Sequence, residues 1–219
     1  MRDVVAVVTA RGGSRGFAGK NLALFRGRSL VAHAVLTAVA AEGVDRVVVT
    51  TDDPAIAEQS AGAEVVVRPA GLSGPDSRSV DAVLHVVDHL GLHPGTVLVL
   101  VQPTTPLRTA EDIADCLALH GDRPTGSVVQ MVAAQAHHPW KSCIVHDGSI
   151  EPAHDWSDLE APRQNLPPVL RPTGGVYVVG AADLRAHRRF FIPEVLAQVI
   201  PPHRAIDIDT PDDLARAQQ

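Results

Sequence analysis

Four short valine-rich runs constrain this chain more than any other feature: Val4–Thr9, Val47–Thr51, Val65–Val67 and Thr96–Val101. Each is apolar, β-branched and too brief for a helix, which reads as a strand buried on both faces. The stretches between them carry helix signals. Leu30–Ala41 follows Ser29 as an N-cap and stops before Gly43, and Pro54–Ala61 follows Asp53 with proline in the first turn. Val80–Leu90 fills the third gap. Strands alternating with helices imply right-handed crossovers and a mostly parallel, Rossmann-like α/β sheet flanked by helices.

The alternation continues through a helix opened by Thr109, with Asp112 three residues on as half of a capping box, and a strand over Ser127–Val132. Then the rhythm changes. Lys141–Glu151 reads as two short strands about Asp147-Gly148, and Asp155–Pro172 is rich in proline, charge and amide without a period. Gly175–Val179 and Val195–Ile200 read as strands, and Thr210 caps a last helix with Asp213 at its third position. Residues 1–136 and 201–219 are therefore expected to form the α/β body, with 137–200 inserted as an arm. The net charge of −6 argues against a nucleic-acid binder, whose footprint is basic. No apolar run approaches the ~20 residues of a membrane span, and Val4–Thr9 is too short for a signal-peptide core. Cys116 and Cys143 are too few for a disulfide framework, so a reducing cytoplasm is expected.

Chemistry is expected where the strands end, because open α/β sheets bind ligands beyond their carboxyl edges. The loop "VTARGGSRGFAGKN", Val8 to Asn21, follows the first strand with four glycines and the cations Arg11, Arg15 and Lys20. Glycine lets backbone amides approach an anion closely, so phosphate binding is favoured over a plain mobile loop. It is not a Walker loop: Ser14 stands where the first glycine belongs and Asn21 replaces Ser/Thr. After the second strand, Asp52 and Asp53 suit helix capping. After the fourth, the two prolines of Gln102–Arg108 stiffen a turn fit for a sugar or base edge. Near the C-terminus, Asp207 and Asp209 flank Ile208. Period two puts both carboxylates on one side, where they suit Mg²⁺, although Asp209 or Thr210 could equally cap the next helix. His85 and His89 read as a polar helix face and Trp156 as packing. "HHPWK", His137 to Lys141, is equally consistent with a subunit contact. Phe190-Phe191 suits either the core or an apolar wall at a site or interface.

Together these motifs resemble the bacterial CMP-sialic acid synthetases (N-acylneuraminate cytidylyltransferases), nearly end to end. The family loop A-R-x-x-S-[KR]-G-x-x-x-K-N is met by Ala10 to Asn21 and Q-P-T-[ST]-P-L-R by Gln102 to Arg108. "HHPWK", "SDLEAPRQNLP", "RPTGGVYV", "FFI" and "IDIDTPDDL" also look like this family's. The resemblance implies an enzyme that joins CTP to an acidic α-keto sugar, giving the CMP-sugar and pyrophosphate with Mg²⁺. It implies that Arg11, Ser14, Lys20 and Asn21 hold the triphosphate, that Arg68 and Ser79 lie toward cytosine, and that Gln102 faces the sugar. Asp207 and Asp209 would bind the metal, with Lys20, Arg11 and Asp209 as the catalytic groups. Arg163, Gln164, Arg171 and Tyr177 match positions around the sugar-acid pocket. The resemblance also implies a homodimer whose arm exchanges between subunits, so that Lys141, Phe190 and Phe191 would serve the partner's site. Two departures stand out: Ala18 where members usually carry proline, and Thr173 where R-P-N-G has asparagine. A Kdo-like sugar, legionaminate or a phosphonate is the alternative acceptor, and a non-catalytic nucleotide-binding protein the rival class. Retention of Lys20 with both aspartates favours the enzyme.

Overall fold

The valine-rich runs become adjacent strands of one seven-stranded sheet in the computed structural model, which describes residues 2–13, 16–123, 125–134 and 138–219. In chain order the strands begin with β1 (Val4–Thr9), a tight hairpin of β2 (Leu24–Phe25) and β3 (Arg28–Ser29), β4 (Arg46–Thr51) and β5 (Glu64–Val67). They continue with β6 (Val97–Val101), β7 (Ser127–Ala133), a second hairpin of β8 (Cys143–His146) and β9 (Ser149–Pro152), β10 (Leu170–Gly180) and β11 (Val195–Ile200). The helices are α1 (Leu30–Val39), α2 (Pro54–Glu58), α3 (Ser79–His89) and α4 (Ala110–His120), then α5 (Trp156–Glu160), α6 (Ala181–His187) and α7 (Pro211–Ala217).

The large sheet runs β11-β7-β10-β6-β1-β4-β5. Every neighbouring pair is parallel except those of β10, which is antiparallel to both β6 and β7. Alternate residues of β1 feed two cores. Ala6 and Val8 pack with α1 and α4 residues such as Val35 and Ile113, whereas Val5 and Val7 pack with α3 and α6 through Val83 and Leu184. Burial on both faces is what the unbroken apolar runs require. The caps also form as their sequences demand: Ser29 Oγ accepts from Ala32 N, and Thr109/Asp112 and Thr210/Asp213 are complete capping boxes.

Three expectations are corrected. Residues 137–200 are not all an arm, because β10 and β11 lie inside the large sheet; only the stretch 138–169, with the β8–β9 hairpin and α5, stands outside it. The strand expected over Gly175–Val179 runs from Leu170 to Gly180, and its pairing with β7 shifts register between Pro172 and Tyr177. The irregularity hid its first half, since Pro172, Gly174 and Gly175 break the alternation on which strand reading depends. Trp156, read as packing, is exposed.

Candidate active site

A cleft of about 420 Å³ opens beyond the carboxyl ends of β1 and β6. The first loop lines it with Arg11, Gly16, Lys20 and Asn21, the β5–α3 connection with Arg68, Ser77 and Ser79, and the turn after β6 with Gln102 to Thr104. Asp209 closes the remaining side. Segments from both ends of the sequence thus meet at one edge of the sheet.

The loop is fastened from two sides. Gly12 N donates to Asp52 Oδ1 at 3.0 Å and Asn21 Nδ2 donates to the Arg11 carbonyl at 2.8 Å. A side chain at Gly12 would collide with Asp53, whose Oδ2 lies 2.6 Å from the position of an added Cβ. Asp53 caps α2 through Ala55 N at 2.8 Å, as its sequence position suggests, whereas Asp52 holds the loop instead. Gly19, at φ 66°, turns the chain into Lys20. Glycine is needed at both points, for close approach at Gly12 and for left-handed backbone at Gly19.

The cations are placed by different means. Arg11 donates through Nη1 to the Gly74 carbonyl. Lys20 Nζ lies 2.8 Å from Asp209 Oδ1, a pair that spans the cleft. Arg68 is buried at the end of β5, with Nη2 donating to the Thr50 carbonyl at 2.7 Å. Burial lowers the pKa of its guanidinium, Asp52 opposes that, and Arg11 adds to it. Asp207 and Asp209 alternate about Ile208, which is fully buried, so both carboxylates leave the packed side of the segment. Burial pushes the Asp207 carboxyl above its usual range, a Thr104 hydrogen bond opposes this, and the charge of Asp209 acts with burial. Among the described residues no three His, Cys, Asp or Glu side chains form a metal-ligand cluster. His85 and His89 stack on each other, His89 exposed and His85 half-buried.

A second recess of about 280 Å³ adjoins the cleft, sharing Ser79 and Gln102 with it. Its walls are Leu100, Tyr177, Phe190 and Phe191, with ring centroids of Tyr177 5.5 Å from Phe190 and 6.0 Å from Phe191. Burial and then Asp207 push the Tyr177 hydroxyl upward. The adjacent phenylalanines therefore form an apolar wall. They line the recess beside the cleft of their own chain, whereas the resemblance implies that they serve the partner's.

Other expected residues lie elsewhere. Lys141 and Arg163 are exposed on the projecting stretch, donating to the Leu159 carbonyl at 3.0 Å and the Ala134 carbonyl at 3.1 Å; Gln164 is exposed beside them. Arg171 lines a separate recess of about 480 Å³ with His203, Asp207 and Arg216. Ser14, Arg15 and His137 fall outside the described residues. Thr173 turns inward and its hydroxyl donates to Gln130 Oε1 at 2.9 Å, away from the cleft. The sequence reading missed Thr50, Thr104 and Arg108 as individual participants. Only the motif around the last two signalled them.

Comparison with known proteins identifies the family. A family model described as cytidylyltransferase matches residues 5–139. Over 227 residues the chain is 29% identical to the CMP-N,N'-diacetyllegionaminic acid synthase of Legionella pneumophila, covering 99% of this chain and 95% of that protein. Over 216 residues it is 27% identical to the N-acylneuraminate cytidylyltransferase of Escherichia coli, covering 94% of this chain; it spans only 49% of that longer relative. The fold superposes on a CMP:2-keto-3-deoxy-manno-octonic acid synthetase solved with CTP, at a TM-score of 0.71 and 18% identity, over 99% of this chain and 97% of the other.

Proposed function

Because this chain belongs to the cytidylyltransferase family, we propose that it transfers CMP from CTP to the anomeric hydroxyl of an acidic α-keto sugar. The observation that carries the reading is one cleft lined by Arg11, Lys20, Arg68 and Asp209, opening into an aromatic recess through Ser79 and Gln102. A triphosphate needs the first group and a sugar the second.

In this reading the anomeric oxygen attacks the α-phosphorus in line. The hydroxyl gives up its proton to solvent, the new O–P bond forms as the bond from the α-phosphorus to the bridging oxygen breaks, and pyrophosphate departs with that bond's electron pair. Catalysis consists of positioning and charge neutralisation. Arg11 and Lys20 take up charge on the phosphates, and Asn21 acts through the Arg11 carbonyl it holds. Ser14 belongs to the same loop. Arg68 and Ser79 face the base. Gln102, Tyr177, Phe190 and Phe191 face the sugar, whose carboxylate calls for a bidentate arginine such as Arg171 or Arg163. Asp207 and Asp209 are hard oxygen donors suited to Mg²⁺. Asp209 lines the cleft and Asp207 the neighbouring recess. The charge of Asp209 opposes ionisation of Asp207, which a divalent ion between them would relieve. When bound, the ion would neutralise charge on the phosphates.

Lys141, Arg163 and Gln164 reach a cleft only if the 138–169 stretch packs on a second copy, so the working unit is a homodimer with exchanged arms. Ile144, Val145, Ile150 and Trp156 on that stretch are all more than half exposed, at 51–69% for the three aliphatics and the indole together, which supports a covering partner. The cytoplasm, where CTP is made, is the expected compartment, and no described helix is long and apolar enough to cross a membrane. Pyrophosphate release with CTP across N-acetylneuraminate, legionaminate and a Kdo-like sugar tests the activity, with UTP and GTP as base controls. Release with none of the acids overturns it.

A further inference from the structure

Arg108 closes the turn that follows β6, and its guanidinium is buried, 5% exposed. Nη1 donates to the Gln102 carbonyl at 2.9 Å, to Thr105 Oγ1 at 3.0 Å and to the Gly175 carbonyl of β10 at 3.2 Å. Its Nε meets no acceptor among the described residues. The nearby carboxylate of Asp112 is already engaged by both terminal nitrogens of Arg204, at 2.7 and 3.1 Å. Burying a cation without a dedicated counter-charge is expensive, and an apolar side chain would fill the space more cheaply. The cation therefore calls for another explanation.

What Nη1 joins supplies one. Gly175 follows Gly174, which sits at φ 81°; an added Cβ there would lie 3.3 Å from Gln102 Oε1 and 3.4 Å from Asp207 Oδ2. From the other side of the turn, the Thr104 carbonyl accepts from Ile208 N at 2.8 Å, between the two aspartates. The first loop is fastened separately, by Asp52, Asn21 and Thr50.

We infer that Arg108 is a positioning residue that clamps the Gln102–Thr105 turn to the β10 bulge, setting where Gln102 and the Asp207–Asp209 segment stand relative to each other. The clamp governs the sugar and metal side of the cleft and leaves nucleotide capture to the first loop. This rests on the cytidylyl-transfer reading for its substrate terms.

The test compares Arg108→Met, Arg108→Lys and Thr105→Val with wild type. Val35→Ala, a core truncation on α1, serves as a control for lost stability. Arg108→Met should raise the KM for the acid sugar and the Mg²⁺ concentration for half-maximal rate on the order of tenfold to a hundredfold. CTP affinity, measured calorimetrically, should stay at the wild-type value. Arg108→Lys should recover part of the loss, and Thr105→Val, missing one acceptor, should cost about fivefold in sugar KM. Equal weakening of CTP and sugar, the same split in Val35→Ala, or wild-type constants in both Arg108→Lys and Thr105→Val would overturn the clamp. If Arg108→Met does not fold, the lysine and valine variants decide. Should wild type release no pyrophosphate with any acid sugar, the functional reading fails on its own, and hydrogen exchange at Ile208 N then judges the clamp. Faster exchange in Arg108→Lys and Thr105→Val with CTP binding retained supports it, and unchanged exchange refutes it.

Discussion

Replacing Lys20 by methionine should tighten divalent-cation binding to the nucleotide-free protein while weakening its grip on CTP. Lys20 Nζ and Asp209 Oδ1 are 2.8 Å apart, so the ammonium occupies an oxygen that the proposed metal needs. The lysine side chain is 15% exposed and the aspartate 73%, so solvent screens the pair from the aspartate's side. Such pairs are worth about 0.2–1 kcal/mol, so removing the competitor should gain about 1.4- to 5-fold in affinity. Mn²⁺ titrations read by electron paramagnetic resonance, at low salt and without nucleotide, measure this directly. The gain should shrink as salt screens the pair, and it should vanish in the Lys20→Met, Asp209→Asn double variant. With CTP present the effect inverts, because the lysine then neutralises phosphate. If Lys20→Met binds Mn²⁺ no more tightly than wild type, or keeps its gain without the Asp209 carboxylate, the competition is not real.

Four other outcomes follow from the geometry. Gly12→Ala sets a Cβ 2.6 Å from Asp53 Oδ2, so either the α2 cap or the Gly12–Asp52 bond gives way; urea melts should lose about 1 kcal/mol, and calorimetry should show weakened CTP binding. Asp207→Asn and Asp209→Asn should each weaken the Mg²⁺ dependence of turnover, and wild-type dependence in both would remove the pair as the metal site. Burial, foremost, lowers the His120 pKa from its usual 6.5, so below that value the unfolded chain takes up the proton first. Stability should therefore hold above about pH 6.5 and fall as the pH drops further, and Tm against pH should be flatter on that limb in His120→Gln. Cys143 is exposed, whereas burial pushes the Cys116 thiol up to about 12, so a thiol reagent at neutral pH should modify the first before unfolding and the second only after it.

The body of the fold was legible because its signals are local. Valine runs, Asp53-Pro54, Thr109 with Asp112 and Thr210 with Asp213 each act within one turn or strand, and all appear where they were read. The cleft was legible in part, since strand ends carry the ligand groups of such sheets. Arg11, Lys20, Asn21, Arg68, Ser79, Gln102 and Asp209 do converge there. What stayed hidden depends on distant pairing. The place of β10 is set by β6 and β7 on either side of it, and its bulge erases the alternation that would have announced it. Arg108 looked like one letter of a motif because its third acceptor, Gly175, is 67 positions away. Asn21, expected to hold the triphosphate, gives one of its two amide hydrogens to the Arg11 carbonyl, a contact that no local pattern announces.

The position of β10 also orders events during synthesis. Both neighbours of β7 in the sheet, β10 and β11, are translated after it, so β7 emerges from the ribosome with nothing to pair with. β1, β4, β5 and β6 can assemble early. The rest must await residues 170–200, and the contact between Lys20 and Asp209 spans 189 positions. A nascent chain accordingly carries its N-terminal loop long before the opposite wall exists, and the cleft is completed only when the segment bearing Asp209 is released.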